Sequence, residues 1–206
     1  MRNVFLREDA SFDVFLPRGR KTLDHEKIEE AVRLLLEGIG ENPEREGLLG
    51  TPKRISAMCE EIFGGIGKDA SAELARTFAA QGGDFVVEKE IRFYSVCEHH
   101  LMPFFGTCAI GYVPDGRVVG LSKLARTVEV YARRPQIQER LTAQIADAIM
   151  EELAPKGVIV LMKAEHLCMS MRGVQKPGTQ TVTLVRRGIC AEDDQYLQMF
   201  YAMEKA

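Results

Sequence analysis

The chain has 206 residues, 46% of them hydrophobic, a formal net charge of -3 and a pI near 5.9. That is enough for one sizeable domain with a helical extension, and too acidic for a general nucleic-acid binder, since there is no basic arm and no excess of Lys and Arg. Five cysteines, an odd number, speak for a reducing compartment over a disulfide framework, the first twenty residues lack the apolar core of an export signal, and no stretch has the length to cross a bilayer, so we expect a cytoplasmic protein with no membrane partner.

Residues 1–21 show no sustained period and end in Pro17-Arg18-Gly19-Arg20-Lys21, which reads as an N-terminal tail. From Asp24, an acceptable N-cap, Ile28, Ala31, Val32, Leu35 and Ile39 recur at spacings of three and four, which predicts an amphipathic helix ending near Gly38 and Gly40. His25, in its first turn, reads as a surface residue. After a polar loop, Thr51 as N-cap and Pro52 as first helical residue predict a second helix with Ile55, Met58, Cys59 and Ile62 on one face. A shorter helix is expected over Ala70 to Ala79, closing a helical region at 22–80.

Beyond residue 81 the period changes to two. Val87, Lys89, Ile91, Phe93 and Ser95 alternate with Glu88, Glu90, Arg92 and Tyr94, a half-buried strand running directly into Cys97. A second strand, Phe105 to Val113, ends on the turn signal Pro114-Asp115-Gly116. Ser122 is the expected N-cap of a helix with Leu124, Val128 and Tyr131 facing inward, broken by Arg133-Arg134-Pro135. A longer helix from Gln136 to Ala154 carries Ile137, Leu141, Ile145, Ile149 and Leu153 in an i+4 stripe that reads as core. Val158 to Ala164 and Gln180 to Arg187 supply two more strands, the first delivering His166 and Cys168 just past its end, and a short amphipathic helix follows Asp193. The order over 81–206 is strand, strand, helix, helix, strand, strand, an α+β arrangement. A four-stranded sheet of this kind has unpaired outer strands, and neither the second nor the fourth strand is protected by proline or inward charge, which points to edge-to-edge assembly.

The reactive side chains concentrate in Tyr94 to Gly106, where Cys97, Glu98, His99 and His100 are consecutive, and in Ala164 to Gly173, which holds His166 and Cys168. Cys97 and His100 have the short spacing that lets one turn present a thiolate and an imidazole to one ion, and Cys168 can supply a third ligand. Adjacent side chains diverge, so His99 and His100 do not both bind. The pattern predicts a Cys2His zinc site with a water in the fourth place and His99 and His166 beside it as proton carriers. Glu98 reads equally as a solvated charge or as a group that orients an imidazole. Cys59, Cys108 and Cys190 are assigned to packing, Met169 and Met171 to core filling, and Arg134 and Arg140 to ion pairs or caps.

Several stretches match one family together: Gly47 to Arg54, Ser95 to Gly106, Gly120 to Arg126, Arg134 to Leu141 and His166 to Val174. Cys-Glu-His-His, followed by Arg-Pro-Gln-x-Gln-Glu-Arg and then His-x-Cys, is the specific part, and on it the chain resembles GTP cyclohydrolase I over roughly residues 24 to 190. The resemblance implies a tunnelling fold, with a four-stranded antiparallel sheet and two helices (ββααββ) behind an N-terminal helical extension. It also implies a homodecamer of two stacked pentamers with active sites shared between neighbours. The implied reaction takes GTP and water to formate and 7,8-dihydroneopterin triphosphate, at the start of folate and related pterin synthesis. Cys97, His100 and Cys168 match the family's Zn2+ ligands, and His99 and His166 its acid and base residues. Glu139 matches its guanine reader, supported by Gln138, while Lys123, Arg126, Arg172 and Arg54 match phosphate-side positions and Ser122 adds a hydroxyl near ribose or phosphate. The chain departs from the family at Ala57, where many members carry a lysine, and at Leu184, where a serine or threonine is usual.

Two other readings leave residues idle. A nitrile reductase of the same fold, with a cysteine nucleophile and a nicotinamide cofactor, gives no task to the His-His pair or the second Cys. A zinc-stabilised assembly without turnover would be marked by a missing proton carrier or guanine reader, and His99, His166 and Glu139 are all present.

Overall fold

The computed structural model describes residues 23–80 and 82–206, so the tail expected over 1–21 lies outside the described residues. The chain opens with α1 (His25–Gly38), α2 (Thr51–Ile62), α3 (Ser71–Leu74) and β1 (Thr77–Ala79), followed by β2 (Val86–Cys97), β3 (Pro103–Val113) and β4 (Arg117–Val119). It continues through α4 (Leu121–Ala132), β5 (Pro135–Gln136), α5 (Gln138–Leu153), β6 (Gly157–His166) and α6 (Leu167–Ser170), and ends with β7 (Thr181–Gly188), α7 (Ile189–Glu192) and α8 (Asp194–Lys205). The architecture is mixed α+β.

Strands β2, β3, β6 and β7 form an antiparallel ladder in the order β2-β3-β6-β7, and β5 adds two residues parallel to the outer side of β2. The strand expected as an exposed edge, β3, is therefore interior; the edges are β7 and the short β5. One face of the sheet packs on the inward stripes of α4 and α5, where Leu124, Val128, Leu141, Ile145 and Ile149 meet Phe93, Phe104, Cys108 and Ile110. The other face is covered over part of its area by Cys190 and by Phe200 of α8, against Ala109, Val113, Ile159 and Leu161. The i+4 stripe of α5 is thus core, with Leu141, Ile145, Ile149 and Leu153 fully buried.

Several local expectations are corrected. A β-bulge between Glu88 and Ile91, with Glu90 at φ 56, inserts a residue into β2, so Val87 does not share a face with Ile91. Val86 packs with Ile91 and Phe93, while Val87 packs on the opposite side, because one extra residue inverts every side chain upstream of it. The helix expected to reach Ala79 stops at Leu74, since Thr77, Phe78 and Ala79 pair with Val119, Val118 and Arg117. This pairing joins the helical region to the segment beyond residue 81. The caps of α2 and α4 are Gly50 and Gly120, one or two residues before Thr51 and Ser122. Thr51 instead accepts a hydrogen bond from Arg54 at 2.9 Å. Met169 and Met171 are exposed, so they fill no core.

The N-terminal helices lie apart from the main core. Asp24 caps α1 as expected, accepting from the Lys27 N–H, but Val32 is the only buried residue of that helix. Leu35 and Ile39, read as inward-facing, are 62% and 69% exposed. His25 ties α1 to α2, with Nδ1 2.7 Å from the buried Ser56 Oγ and Nε2 3.0 Å from Glu60.

Candidate metal and active site

Two strand ends build the site. Cys97 is the last residue of β2, and its N–H donates to Met102 O while its carbonyl accepts from Leu101 N, both at 2.8 Å. These two bonds close a tight turn over Glu98 to Leu101 and hold Leu101 at φ 52, a left-handed conformation that costs a non-glycine residue about 1 kcal/mol or more. On the neighbouring pair of strands, Phe104 of β3 lies opposite His166 of β6. His166 is the last strand residue and not beyond it, and Cys168 sits two residues further on, in α6.

This juxtaposition brings Cys97, His100 and Cys168 together, with their ligand atoms all within 4.8 Å of one another. Cys97 Sγ is 3.9 Å from His100 Nδ1. Tetrahedral zinc with thiolate and imidazole ligands sets its ligand atoms about 3.5–3.8 Å apart, so the present spacing fits the ion with small side-chain adjustments. Burial pushes the Cys168 thiol up from its ordinary value, and the charge of Cys97 beside it pushes in the same direction. Two thiolates this close call for a cation between them.

The two adjacent histidines differ in their surroundings. His99 Nδ1 also lies 3.9 Å from Cys97 Sγ, yet His99 is outside the mutual group, and its ring stands 74° from that of His100. Glu98 accepts from Arg140, and its other carboxylate oxygen lies 3.8 Å from His99 Nε2. Arg140 is held by Gln136 Oε1 at 3.0 Å and the Pro135 carbonyl at 3.3 Å, so β5 and the start of α5 position the histidine loop through one guanidinium.

His166 stacks on the buried Phe104 with ring centroids 4.5 Å apart and planes 3° from parallel. Its Nε2 is 2.8 Å from Gln138 Oε1. The Gln138 amide nitrogen is already committed to Met162 O at 3.2 Å, Thr181 O at 3.0 Å and Thr183 Oγ1 at 3.1 Å, so the amide oxygen faces His166 and must accept. His166 therefore carries its proton on Nε2 and leaves Nδ1 bare. Burial lowers the His166 pKa, and the nearby Glu139 carboxylate opposes that shift. Gln138 is 1% exposed. Its side-chain amide is bonded to Met162, Thr181, Thr183 and His166. Phe104 was not singled out by sequence reasoning, although its place in the Met102-Pro103-Phe104-Phe105 run beside the histidines was a usable signal.

Glu139 is exposed in the first turn of α5, where the helix dipole favours a carboxylate. Arg172 follows α6, and its charge acts on Cys168. Arg54 is exposed on α2 and donates to Thr51 and Gly47. Ser122, Lys123 and Arg126 are not gathered with this group. Ser95 Oγ donates to Ala132 O at the C-terminal end of α4, near Cys97, whereas Lys123 lies nine residues earlier, about 14 Å back along the helix. Val119, just before that helix, donates to the Tyr112 hydroxyl, and Tyr112 pairs with Val86 at the opposite end of β2 from Cys97. Within one chain Lys123 and Arg126 of α4 and the Cys-His cluster occupy different ends of the sheet. Among the described residues no helix is long and apolar enough to cross a membrane.

Comparison with known proteins bears on the same stretch of chain. The family described as GTP cyclohydrolase I matches residues 28–205. GTP cyclohydrolase 1 of Clostridium perfringens (strain 13 / Type A) is 58% identical over 172 residues, covering 84% of this chain and 93% of that protein. GTP cyclohydrolase 1 of Clostridium kluyveri (strain NBRC 12016) is 54% identical over 183 residues, covering 89% and 99%. A solved structure of the archaeosine synthase QueF-Like in the apo form superposes with a TM-score of 0.44 at 19% identity, over 52% of this chain and 97% of that one.

Proposed function

The chain belongs to the GTP cyclohydrolase I family and is an enzyme of that type, and we propose that it carries out the zinc-dependent opening of the guanine imidazole ring of GTP, releasing formate and yielding 7,8-dihydroneopterin triphosphate, the first step towards tetrahydrofolate and related pterins. The observation that carries this reading is the grouping of Cys97, His100 and Cys168 beside a tautomer-fixed His166 and an exposed Glu139. Cys97, His100 and Cys168 hold the zinc, which when bound supplies the Lewis acid that makes water nucleophilic at neutral pH.

The chain's own residues handle the substrate and the protons. Glu139 accepts from the guanine N1–H and exocyclic amine, two donors that one carboxylate satisfies together. His166, with its proton on Nε2 turned to Gln138, accepts a proton at Nδ1, and His99, oriented by Glu98, exchanges one as the imidazole ring opens and the new ring closes. Gln138 is a positioning residue for His166, and Phe104 fixes the plane of the same ring. Arg172, Arg54, Lys123, Arg126 and Ser122 face the triphosphate.

Three features support a homo-oligomer in which neighbouring chains complete each site, as in a decamer of two stacked pentamers. Lys123 and Arg126 lie at the other end of the sheet from the Cys-His cluster. Leu34 and Leu35 of α1 and Ile39 at its end are exposed apolar side chains that a neighbouring chain could cover. Among the described residues β7 pairs only with β6, leaving an edge for another sheet. We further propose a tunnelling-fold domain over 81–206 and a cytoplasmic location, with no nucleic-acid partner.

The test is turnover of GTP by the purified, zinc-loaded chain, with the product oxidised and read by pterin fluorescence. Fluorescence abolished by a chelator and restored by zinc is the expected result. No signal from protein shown to contain zinc would move the assignment to a non-catalytic assembly.

A further inference from the structure

Glu73, which nothing in the motif pattern singled out, sits on α3 beside Leu74, a fully buried residue that anchors this one-turn helix. Its carboxylate accepts from Lys123 Nζ at 2.8 Å and lies 3.7 Å from Arg126 Nη1. Arg76 adds a third positive charge to the same neighbourhood. The Lys123 and Glu73 side chains are only 16% and 25% exposed, so the pair is shielded from the screening that makes surface ion pairs weak. The hydrogen bond from Lys123 holds the Glu73 carboxyl below the ordinary carboxylate range, with burial opposing and the guanidiniums of Arg126 and Arg76 adding to it.

One carboxylate thus pairs with two of the four cations that the proposed function assigns to the triphosphate, with Arg76 near by. We propose that Glu73 is a built-in counter-ion of the phosphate subsite: it pairs with Lys123 and Arg126 in the free enzyme, offsetting one of their two charges, and the triphosphate of substrate or product must compete with it for them. The inference rests on the reading that Lys123 and Arg126 take phosphate. A Lys or Arg without an anion in a partly buried pocket is costly, so a resident carboxylate keeps the empty subsite stable. The same carboxylate opposes tight retention of a polyanionic product, because it recaptures Lys123 as each phosphate leaves. Affinity for phosphate is therefore set below what the cations alone would give.

The experiment is calorimetric binding of inorganic tripolyphosphate to the full-length protein as wild type, Glu73→Gln and Lys123→Gln, with the KM for GTP measured on the same preparations. Removing one charge from contact with two cations should tighten tripolyphosphate binding roughly tenfold in Glu73→Gln and lower the KM in parallel. Affinity equal to or weaker than wild type in Glu73→Gln, with Lys123→Gln clearly weakened, would overturn the counter-ion role while leaving the phosphate assignment intact, since Glu73 would then be holding Lys123 in place for its ligand. Wild-type affinity in Lys123→Gln would remove the phosphate assignment itself, and the inference with it. Should Glu73→Gln fail to fold, Glu73→Asp withdraws the carboxylate by one methylene. It should also bind more tightly than wild type, and equal or weaker binding would count against the proposal.

Discussion

Replacing Gln138 by leucine, a side chain of similar size that can neither donate nor accept, separates a positioning residue from a substrate contact. In the structure the amide oxygen receives the His166 Nε2 proton at 2.8 Å while the amide nitrogen ties down Met162 O, Thr181 O and Thr183 Oγ1. Leucine leaves the Nε2–H without a partner in a half-buried position and frees the imidazole to exchange tautomers. An unpaired buried donor costs about 1–3 kcal/mol, which should appear as lost stability in denaturant. A misaligned or wrongly protonated base costs catalysis about 10–100-fold, equivalent to about 1.4–2.7 kcal/mol of barrier. Because Gln138 is 1% exposed, the KM for GTP should stay within about twofold, and zinc content should be that of the wild type. The assay is steady-state pterin formation with metal analysis on the same protein. A tenfold rise in KM with kcat retained would refute the reasoning and return Gln138 to the substrate.

Cys168→Ser should lose metal and activity together, whereas His99→Ala should keep its metal and lose activity; metal loss in the His99 variant would show that it is a ligand. Gly106→Ala should destabilise the chain by about 3 kcal/mol or more by equilibrium unfolding, since an added Cβ would stand 1.8 Å from Lys163 O and only a backbone shift relieves that. Burial raises the Cys190 thiol from 9.0 to about 11, with Arg186 opposing, so the folded state holds this proton more tightly than the unfolded chain. Its contribution is complete below pH 9 and lost as pH rises towards 11, at most about 2–3 kcal/mol. Between those pH values wild type should lose more stability than Cys190→Ala, and identical slopes would remove Cys190 as the cause.

Much of the fold was legible because it depends on local period. The stripe of α5, the cap at Asp24, the strands running to Cys97 and from Val158, and the amphipathic α8 all follow from spacing alone. The metal group was legible too, since two short Cys and His motifs at strand ends leave few ways to meet. What failed locally failed for tertiary reasons: residues 77–79 could extend a helix until β4 offers them a partner, and the bulge at Glu90 is invisible to an alternation count that continues across it.

The sequence by itself determined the family, because Cys-Glu-His-His, Arg-Pro-Gln-x-Gln-Glu-Arg and His-x-Cys stand together at distances that few other chains would share. Tertiary structure alone decided the roles that depend on what each side chain touches. It set Gln138 against His166 and Phe104 under that imidazole, brought Glu98 onto Arg140, and placed Glu73 on Lys123. It also put the α4 cations and the Cys-His cluster at opposite ends of one sheet. Spacing along the chain reports which groups are available, whereas partners in a hydrogen bond or ion pair are fixed by strand register and helix packing between residues far apart in sequence.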